Sequence, residues 1–449
     1  MPTALIVLAA GQGSRMQSDR PKVLHEVAHA PLLVHALTAG AAVAPDRVVV
    51  VAGHGGDAVE TVARNHDEDV VVVRQEEQLG TGHAVLQARA ALAGFSGDVI
   101  VLYGDTPFIR PETLEAMLAA RAEGADVVVL GFEAADPGRY GRLIATGDRL
   151  ERIVEAKDAT PEELAVRLCN SGVLAADAET LFALLDQVGN DNAAKEYYLT
   201  DVPGLARAGR MSARIVTCPE AETMGVNTRA DLAAAEAAFQ ARARAGALED
   251  GVTLIAPETV FLALDTVIGR DAVVEPHVVF GPGVTVESGA TIRAFSHLEG
   301  CHVSEGCVVG PYARLRPGAE LDRNAKVGNF VEVKSAQVAE GAKINHLSYV
   351  GDATIGPRAN IGAGTITCNY DGVFKHRTEI GADAFIGSNT ALVAPVRVGV
   401  GAMTGSGSVV TMDVPDGDLA LGRAKQVNKP GLAARLMAKL KAEKARRTQ

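Results

Sequence analysis

Ile268-Gly269-Arg270-Asp271-Ala272-Val273-Val274-Glu275-Pro276-His277-Val278-Val279-Phe280-Gly281-Pro282-Gly283-Val284-Thr285-Val286 carries an apolar residue at every sixth position. The frame continues through Ile292 and Leu298, slips by one residue, and resumes as Val303, Val309, Leu315, Leu321, Val327 and Val333. A second slip leads to Val338, Ile344 and Val350, then Ile355 and Ile361, and later Ile380, Ile386, Leu392 and Val398. Glycine often follows the apolar position, as at Gly269, Gly281, Gly310, Gly328, Gly351, Gly356, Gly362, Gly381, Gly387 and Gly399.

Helices and ordinary strands have side-chain periods of about 3.6 and about 2, so neither explains this frame. A coil with three short extended sides does. Each side points one apolar residue inward, and the glycines are expected to take the corner dihedrals. Hexapeptide repeats of this kind are the signature of a parallel β-helix. The walls of such a prism are nearly flat and give one chain little concavity for a small molecule. A pocket therefore needs a protruding loop or a neighbouring prism, and the expectation is an oligomer.

At 449 residues the chain has room for two or three domains, and 47% of it is hydrophobic. Its net charge of −12 argues against a general nucleic-acid binder, so any anionic ligand must meet local cations. The five cysteines (Cys169, Cys218, Cys301, Cys307 and Cys368) are scattered, odd in number and form no CxxC. That favours a reducing compartment without disulfides or a zinc site. The start, Met1-Pro2-Thr3-Ala4-Leu5, lacks a basic n-region, and no apolar run reaches membrane-spanning length. The expectation is a cytoplasmic protein with no membrane and no nucleic-acid partner.

In the first half, apolar runs at Ala4–Ala9, Arg47–Ala52, Val70–Val73, Asp98–Tyr103 and Asp126–Phe132 alternate with helical patterns at Pro31–Val43, Asp57–Asn65, Thr81–Leu92 and Pro111–Ala122. Alternation of this kind predicts an α/β, Rossmann-like domain with a mostly parallel, doubly wound sheet. Ligands bind such sheets at the carboxyl ends of the strands. The first strand runs into Ala10-Gly11-Gln12-Gly13-Ser14-Arg15-Met16, with Pro21-Lys22 shortly after. A glycine loop whose N–H groups are flanked by two cations suits a triphosphate.

Leu8-Ala9-Ala10-Gly11-Gln12-Gly13-Ser14-Arg15-Met16 with Pro21-Lys22 resembles the signature of sugar-1-phosphate nucleotidyltransferases, with Ser14 where Thr is usual. Gln75, Gln78-Leu79-Gly80-Thr81-Gly82-His83-Ala84 and Tyr103-Gly104-Asp105 are similar to the uridylyltransferases for N-acetylglucosamine 1-phosphate. The resemblance implies that Gln75, Gly80 and Thr81 read the uracil, and that Asp105 and Asn227 hold Mg²⁺. It also implies that Gly141, Glu155 and Asn170 contact the sugar, with Arg15 and Lys22 as the catalytic cations. Asn227 precedes Thr228 and an Ala-rich segment, so a helix N-cap is its rival role. For Lys22 the rival is a solvated surface lysine.

Residues 228–250 are dense in helix formers with few apolar anchors, which predicts a helical linker acting as a strut. The expected organisation is therefore 1–227, the linker 228–250, and a β-helix domain 251–449 ending in a basic tail. Within the β-helix, Arg314-Leu315-Arg316, Glu332-Val333-Lys334 and Asn345-His346-Leu347-Ser348-Tyr349 follow one another at intervals of about one coil. Stacking would gather Arg316, Lys334, His346 and Tyr349 into a cationic cluster, in which a neutral His346 could act as a base. Thr367-Cys368-Asn369-Tyr370-Asp371-Gly372-Val373-Phe374-Lys375-His376-Arg377 interrupts the frame and predicts a protruding loop.

These features resemble the family of bifunctional bacterial enzymes that make UDP-N-acetylglucosamine. Their C-terminal half is a left-handed parallel β-helix that acetylates glucosamine 1-phosphate with acetyl-CoA. The resemblance implies sugar-phosphate contacts at Arg316, Lys334, Tyr349 and Asn360, and a proton acceptor at His346. Ala363, Asn369, Tyr370, Ser388, Ser406 and Arg423 match positions lining the acetyl-CoA site, Ser406 standing where Ala is expected. Substrates would be UTP, N-acetylglucosamine 1-phosphate, glucosamine 1-phosphate and acetyl-CoA, handled by a homotrimer. Leu432, Leu436 and Leu440 fall on one helical face, which suggests a cap for the open end of the prism. Two rival readings stand beside this one. One is a monofunctional nucleotidyltransferase with a regulatory or oligomerising β-helix. The other makes His297 and His302 outward metal ligands.

Overall fold

The computed structural model describes residues 1–447. The chain divides into two compact units, Met1–Ala243 and residues 244 onward. In the first unit, β1 (Thr3–Ala9), β2 (Arg47–Ala52), β3 (Val71–Arg74), β4 (Asp98–Tyr103) and β5 (Val127–Glu133) are followed by β6 (Arg142–Thr146), β7 (Arg149–Val154), β8 (Leu168–Asp177) and β9 (Ala213–Thr217). They form one sheet in the order β3-β2-β1-β4-β8-β5-β9-β7-β6. Strands β3, β2, β1 and β4 run parallel, as does the pair β5–β9. Every residue of β1 is buried, because alternate side chains enter cores on opposite faces of the sheet.

The mostly parallel expectation needs one correction. Strand β8 runs antiparallel between β4 and β5, and the hairpin β6–β7 is antiparallel as well. These strands lie beyond Phe132, where the alternating apolar runs of the sequence stop. The register of β8 against β5 shifts between Asn170 and Leu174, a bulge of the kind that re-aims side chains beside ligand sites.

The helix Arg229–Glu249 occupies the expected linker and crosses the division between the units. It is less of a free strut than its composition suggests. Phe239 is buried, meets the His35 ring edge-on at 5.8 Å, and lies under the Arg242 guanidinium. Ala235 is buried beside it.

The second unit is the three-sided parallel β-helix. One wall stacks Val274, Ile292, Val309, Val327, Ile344, Ile361 and Ile386 in successive coils. A second stacks Ile268, Val286, Val303, Leu321, Val338, Ile355, Ile380 and Val398. On the third, Phe280, Leu298, Leu315, Val333 and Val350 stack in turn, with Thr367, Leu392 and Val410 further along. All of these except Ile268 are buried. Thr367 is an inward polar residue, and its Oγ1 donates to Gly351 O at 3.0 Å and accepts from Gly351 N at 2.8 Å. That pairing lets a threonine fill an apolar position without an orphaned hydroxyl.

The glycines that follow the apolar positions do a different job from the one expected. Of those named above, only Gly310 has a left-handed φ, at 93°. The left-handed corners are held instead by other glycines, such as Gly283, Gly300, Gly318 and Gly341, and by Phe295, Tyr312, Phe330 and Leu347. Gly328 is required by close approach: a Cβ there would come within 2.0 Å of the Asn345 carbonyl oxygen in the next coil. The constraint is steric crowding between coils rather than torsion.

The C-terminal helix Leu432–Arg447 buries none of its residues, and Leu436 and Leu440 are 51% and 59% exposed. It therefore does not cap the prism within the chain. No helix among the described residues is long and apolar enough to cross a membrane. Leu315 is fully buried in the stack, so Leu315→Ala is expected to cost about 2–5 kcal/mol in chemical denaturation. A loss below about 1 kcal/mol would contradict its inward placement.

Candidate functional site

The first site sits where the parallel strands end. Strand β1 delivers Leu8, Ala9 and Ala10, and the chain turns at Gly13 with φ 63°. A Cβ on Gly13 would fall 2.6 Å from Lys22 Cβ, so glycine lets the lysine stem cross the loop. Met16 is fully buried and pins the turn. Gln78 Nε2 donates to Ala10 O at 2.7 Å and braces the loop from the other side.

A cavity of about 290 Å³ is lined by Leu8, Ala10, Gly11, Lys22, Gln75, Gly80, Thr81, Tyr103 and Asp105. Ala9 and Gly104 are not among its walls. Ala9 points into the core, and Gly104 packs near Leu8 O. The Lys22 ammonium forms an ion pair with the Asp105 carboxylate and donates to Asn227 Oδ1 at 3.1 Å. Arg15 donates to the same Asn227 oxygen at 2.9 Å. Lys22 is thus no solvated surface residue; its side chain is 12% exposed. Asn227 is not the N-cap. Thr228 takes that role, its Oγ1 accepting from Asp231 N at 3.1 Å, and the Asn227 side chain is left facing the cleft. Carboxylate and amide oxygens converging on one cation are a donor set that fits Mg²⁺.

A second cavity, of about 820 Å³, shares Thr81, Tyr103 and Glu196 with the first. Its walls bring together Gly141, Glu155 and Asn170. The bulge in β8 carries Asn170-Ser171-Gly172, and a Cβ on Gly172 would press within 2.7 Å of the Tyr103 ring. Burial pushes the Glu155 carboxyl above its ordinary value, while the Thr200 hydroxyl, donating at 3.0 Å, opposes that shift. Burial likewise drives the Tyr103 phenol upward, so it stays a neutral donor.

Sequence reasoning missed the segment around Glu196 and Tyr197. Gly82 N donates to Tyr197 O at 2.8 Å, and Tyr197 N donates to Leu79 O at 2.8 Å. A Cβ on Gly80 would meet that Tyr197 oxygen at 2.6 Å. No local pattern announces this contact, since the partners are far apart in sequence.

The second site lies on the β-helix. Leu347 N donates to Asn329 O at 3.1 Å and Gly364 N to His346 O at 3.2 Å. Asn389 N donates to Ala363 O at 2.7 Å and Gly407 N to Ser388 O at 2.8 Å. One ladder therefore stacks Asn329, His346, Ala363 and Ser388 in successive coils, and Ser406 follows beside Gly407. Below His346 the shelf is walled by small side chains. Around the corner, on another wall, Arg316 and Lys334 stack one coil apart with Gly351 beneath Lys334. A Cβ on Gly351 would collide with Tyr349 Oη and Asn369 Nδ2. Asn369 is buried, donating to Tyr349 Oη at 3.4 Å and to Asp352.

The expected cationic cluster is only partly such. Arg316 donates to Glu332 Oε1 at 2.8 Å, which neutralises one of its cations. The cavity beside His346 is lined by Arg293, Lys326, Asn329 and Asn345, and does not include Arg316, Lys334, Tyr349 or Asn360. Asn360 lies on the wall of Lys343, and Arg423 lies in an exposed turn. One chain thus leaves these groups on separate walls.

The loop after Cys368 is self-braced. Asp371 Oδ1 accepts from Val373 N at 2.8 Å and Phe374 N at 2.7 Å, and Asp371 Oδ2 pairs with His376 Nε2 at 2.6 Å. Those bonds, the His376 contact foremost, lower the Asp371 pKa to about 2. Tyr370, Val373 and Phe374 are exposed at its tip. His302 pairs with Glu287 and Glu320. No group of three or more His, Cys, Asp or Glu among the described residues is arranged to hold a metal.

The profile of the MobA-like NTP transferase domain matches residues 5–191, and that of the bacterial transferase hexapeptide (six repeats) matches residues 265–300. Among similar proteins, the bifunctional protein GlmU of Jannaschia sp. is 67% identical over 443 residues, covering 99% of this chain and 97% of its own. That of Dinoroseobacter shibae is 69% identical over 445 residues, covering 99% of both chains. That of a Ruegeria species is 67% identical over 445 residues with the same coverage. Identity at this level across both units means that the chain belongs to the GlmU family of bifunctional proteins.

Proposed function

We infer that each unit carries one transfer in the synthesis of UDP-N-acetylglucosamine. The β-helix acetylates glucosamine 1-phosphate with acetyl-CoA. The first unit then joins N-acetylglucosamine 1-phosphate to the uridylyl group of UTP, releasing pyrophosphate. The observation that carries this reading is full-length kinship with bifunctional relatives, together with a separate cleft in each unit.

In uridylyl transfer, an oxygen of the sugar 1-phosphate attacks the α-phosphorus of UTP. That nucleophile is already anionic, so the protein needs to position it and neutralise charge rather than supply a base. Gln75, Gly80 and Thr81 face the uracil, while Leu8, Ala10 and Gly11 frame the nucleotide, with Ala9 and Gly104 supporting from behind. Tyr103, Gly141, Glu155 and Asn170 receive the sugar. Lys22 and Arg15, already gathered on the Asn227 oxygen, turn to the phosphates. Asp105 and Asn227 would hold Mg²⁺, which when bound offsets the charge developing on the phosphates.

In acetyl transfer, the amine nitrogen attacks the thioester carbon. The N–C bond forms, the C–S bond breaks, and the nitrogen's proton passes to His346 and on to the CoA sulfur. Arg316, Lys334, Tyr349 and Asn360 hold the sugar phosphate. The shelf Ala363, Ser388 and Ser406, with Asn369, Tyr370 and Arg423, takes acetyl-CoA. Because one prism leaves these groups on separate walls, a homotrimer completes the site, and the exposed tip of Val373 and Phe374 is suited to reach a neighbour. Soluble small-molecule substrates and five unpaired cysteines fit a cytoplasmic enzyme. The regulatory β-helix reading leaves the His346 shelf without a purpose.

Supplied with glucosamine 1-phosphate, acetyl-CoA, UTP and Mg²⁺, the purified protein is expected to yield UDP-N-acetylglucosamine with free CoA and pyrophosphate. Asp105→Ala should lower uridylyl transfer by about 10²–10³-fold or more and leave CoA release near wild type. His346→Ala should do the reverse, lowering acetyl transfer by about 10²–10⁴-fold. Parallel loss of both activities in either variant would count against two independent sites. Sedimentation at micromolar concentration is expected to give a trimer, and a monomer acetylating at full rate would refute the shared site.

A further inference from the structure

His346 lies at the end of its strand with one ring nitrogen already committed. Its Nδ1 is 2.8 Å from Asn329 Oδ1, on the coil directly above. An amide oxygen can only accept, so Nδ1 carries the hydrogen and Nε2 keeps the lone pair. Had the amide nitrogen faced the ring, Nε2 would carry the hydrogen and could not take a proton. The register makes this contact durable. Asn329 and His346 are direct partners on successive coils, and Leu347 N donates to Asn329 O. Gly328, whose lack of a Cβ lets the coils close, stands immediately before Asn329.

We propose that Asn329 is a positioning residue for acetyl transfer, holding the Nδ1–H of His346 so that Nε2 faces the amino group of the sugar phosphate as the acceptor of its proton. The inference rests on His346 being the base. As the N–C bond forms and the C–S bond breaks, the proton leaves nitrogen for Nε2 and then reaches the departing sulfur. No further reactant is needed. Asn329 touches neither substrate in this role. A neutral amide also differs from a carboxylate in that position: it orients the ring while stabilising the imidazolium less, so the proton is more readily passed on.

The charged groups lining the cavity with the ring are Arg293 and Lys326. Neither is a carboxylate, so introducing one at position 329 has a readable sign. A carboxylate facing Nδ1 favours the protonated ring. The Asn329→Asp enzyme is therefore expected to show the acid limb of its acetyl-transfer kcat/KM profile moved up by roughly 1 pH unit. Asn329→Ala should lower kcat for acetyl transfer about 10–100-fold with KM for acetyl-CoA near wild type. In ¹⁵N spectra of the full-length protein, the His346 ring should be the Nδ1–H form in wild type and a mixture in Asn329→Ala. Uridylyl transfer in the same preparations reports folding and should be unchanged. An unmoved acid limb in Asn329→Asp, or an Nε2–H ring in wild type, would overturn the proposal. Acetyl transfer surviving in His346→Ala would instead remove the base itself, a distinct failure.

Discussion

Coil-on-coil stacking is the contact on which the second unit depends. Parallel strands in adjacent coils sit about 4.8 Å apart, so a residue is fixed less by its sequence neighbours than by the residue one coil away. Each inward side chain removes apolar surface from water at roughly 1.5–3 kcal/mol. Keeping those side chains in register forces the outward ones into columns too. That is why Asn329, His346, Ala363 and Ser388 form a straight line although the insertion after Cys368 lengthens one coil. The insertion is absorbed outside the ladder, and Ile355 still pairs with Ile380 beyond it.

The first unit builds its site by a different rule. A parallel sheet ends its strands on one edge, and β1 and β4 deliver the glycine loop and Asp105 there together. The third component comes from the far end of the unit. Asn227 reaches the cleft only because Thr228 and Asp231 satisfy the start of the following helix, releasing the asparagine side chain. Lys22 and Arg15 then converge on its oxygen. A small capping exchange thus decides whether an amide serves the helix or the cleft.

Glycine illustrates how a correct pattern can carry a wrong cause. Its recurrence after the apolar position was visible in the sequence, and torsional freedom was the natural explanation. The crowding of Gly328 against Asn345, and of Gly362 against Ile386, shows that the missing Cβ matters because another backbone occupies its place. Exposed Phe295 and Tyr312 meanwhile accept left-handed corners and stack with rings 4.9 Å apart. Stacking between coils offsets the torsional cost that glycine would have avoided.

The hexad frame by itself determined the β-helix, because a strict period leaves no other way to bury those side chains. The Gly11–Lys22 loop likewise announced an anion site, since glycines and cations after a strand need no distant partner to be read. Asn329 was within reach as well, one coil before His346 on the same frame. Tertiary structure alone decided that Glu332 neutralises Arg316, that Tyr197 closes over Gly80, and that the C-terminal helix leaves its leucines exposed. It also decided that strand β8 enters the sheet antiparallel and bulges at Asn170. Periodicity reports which side chains must leave water; it does not report which polar groups, distant along the chain, will meet once they do.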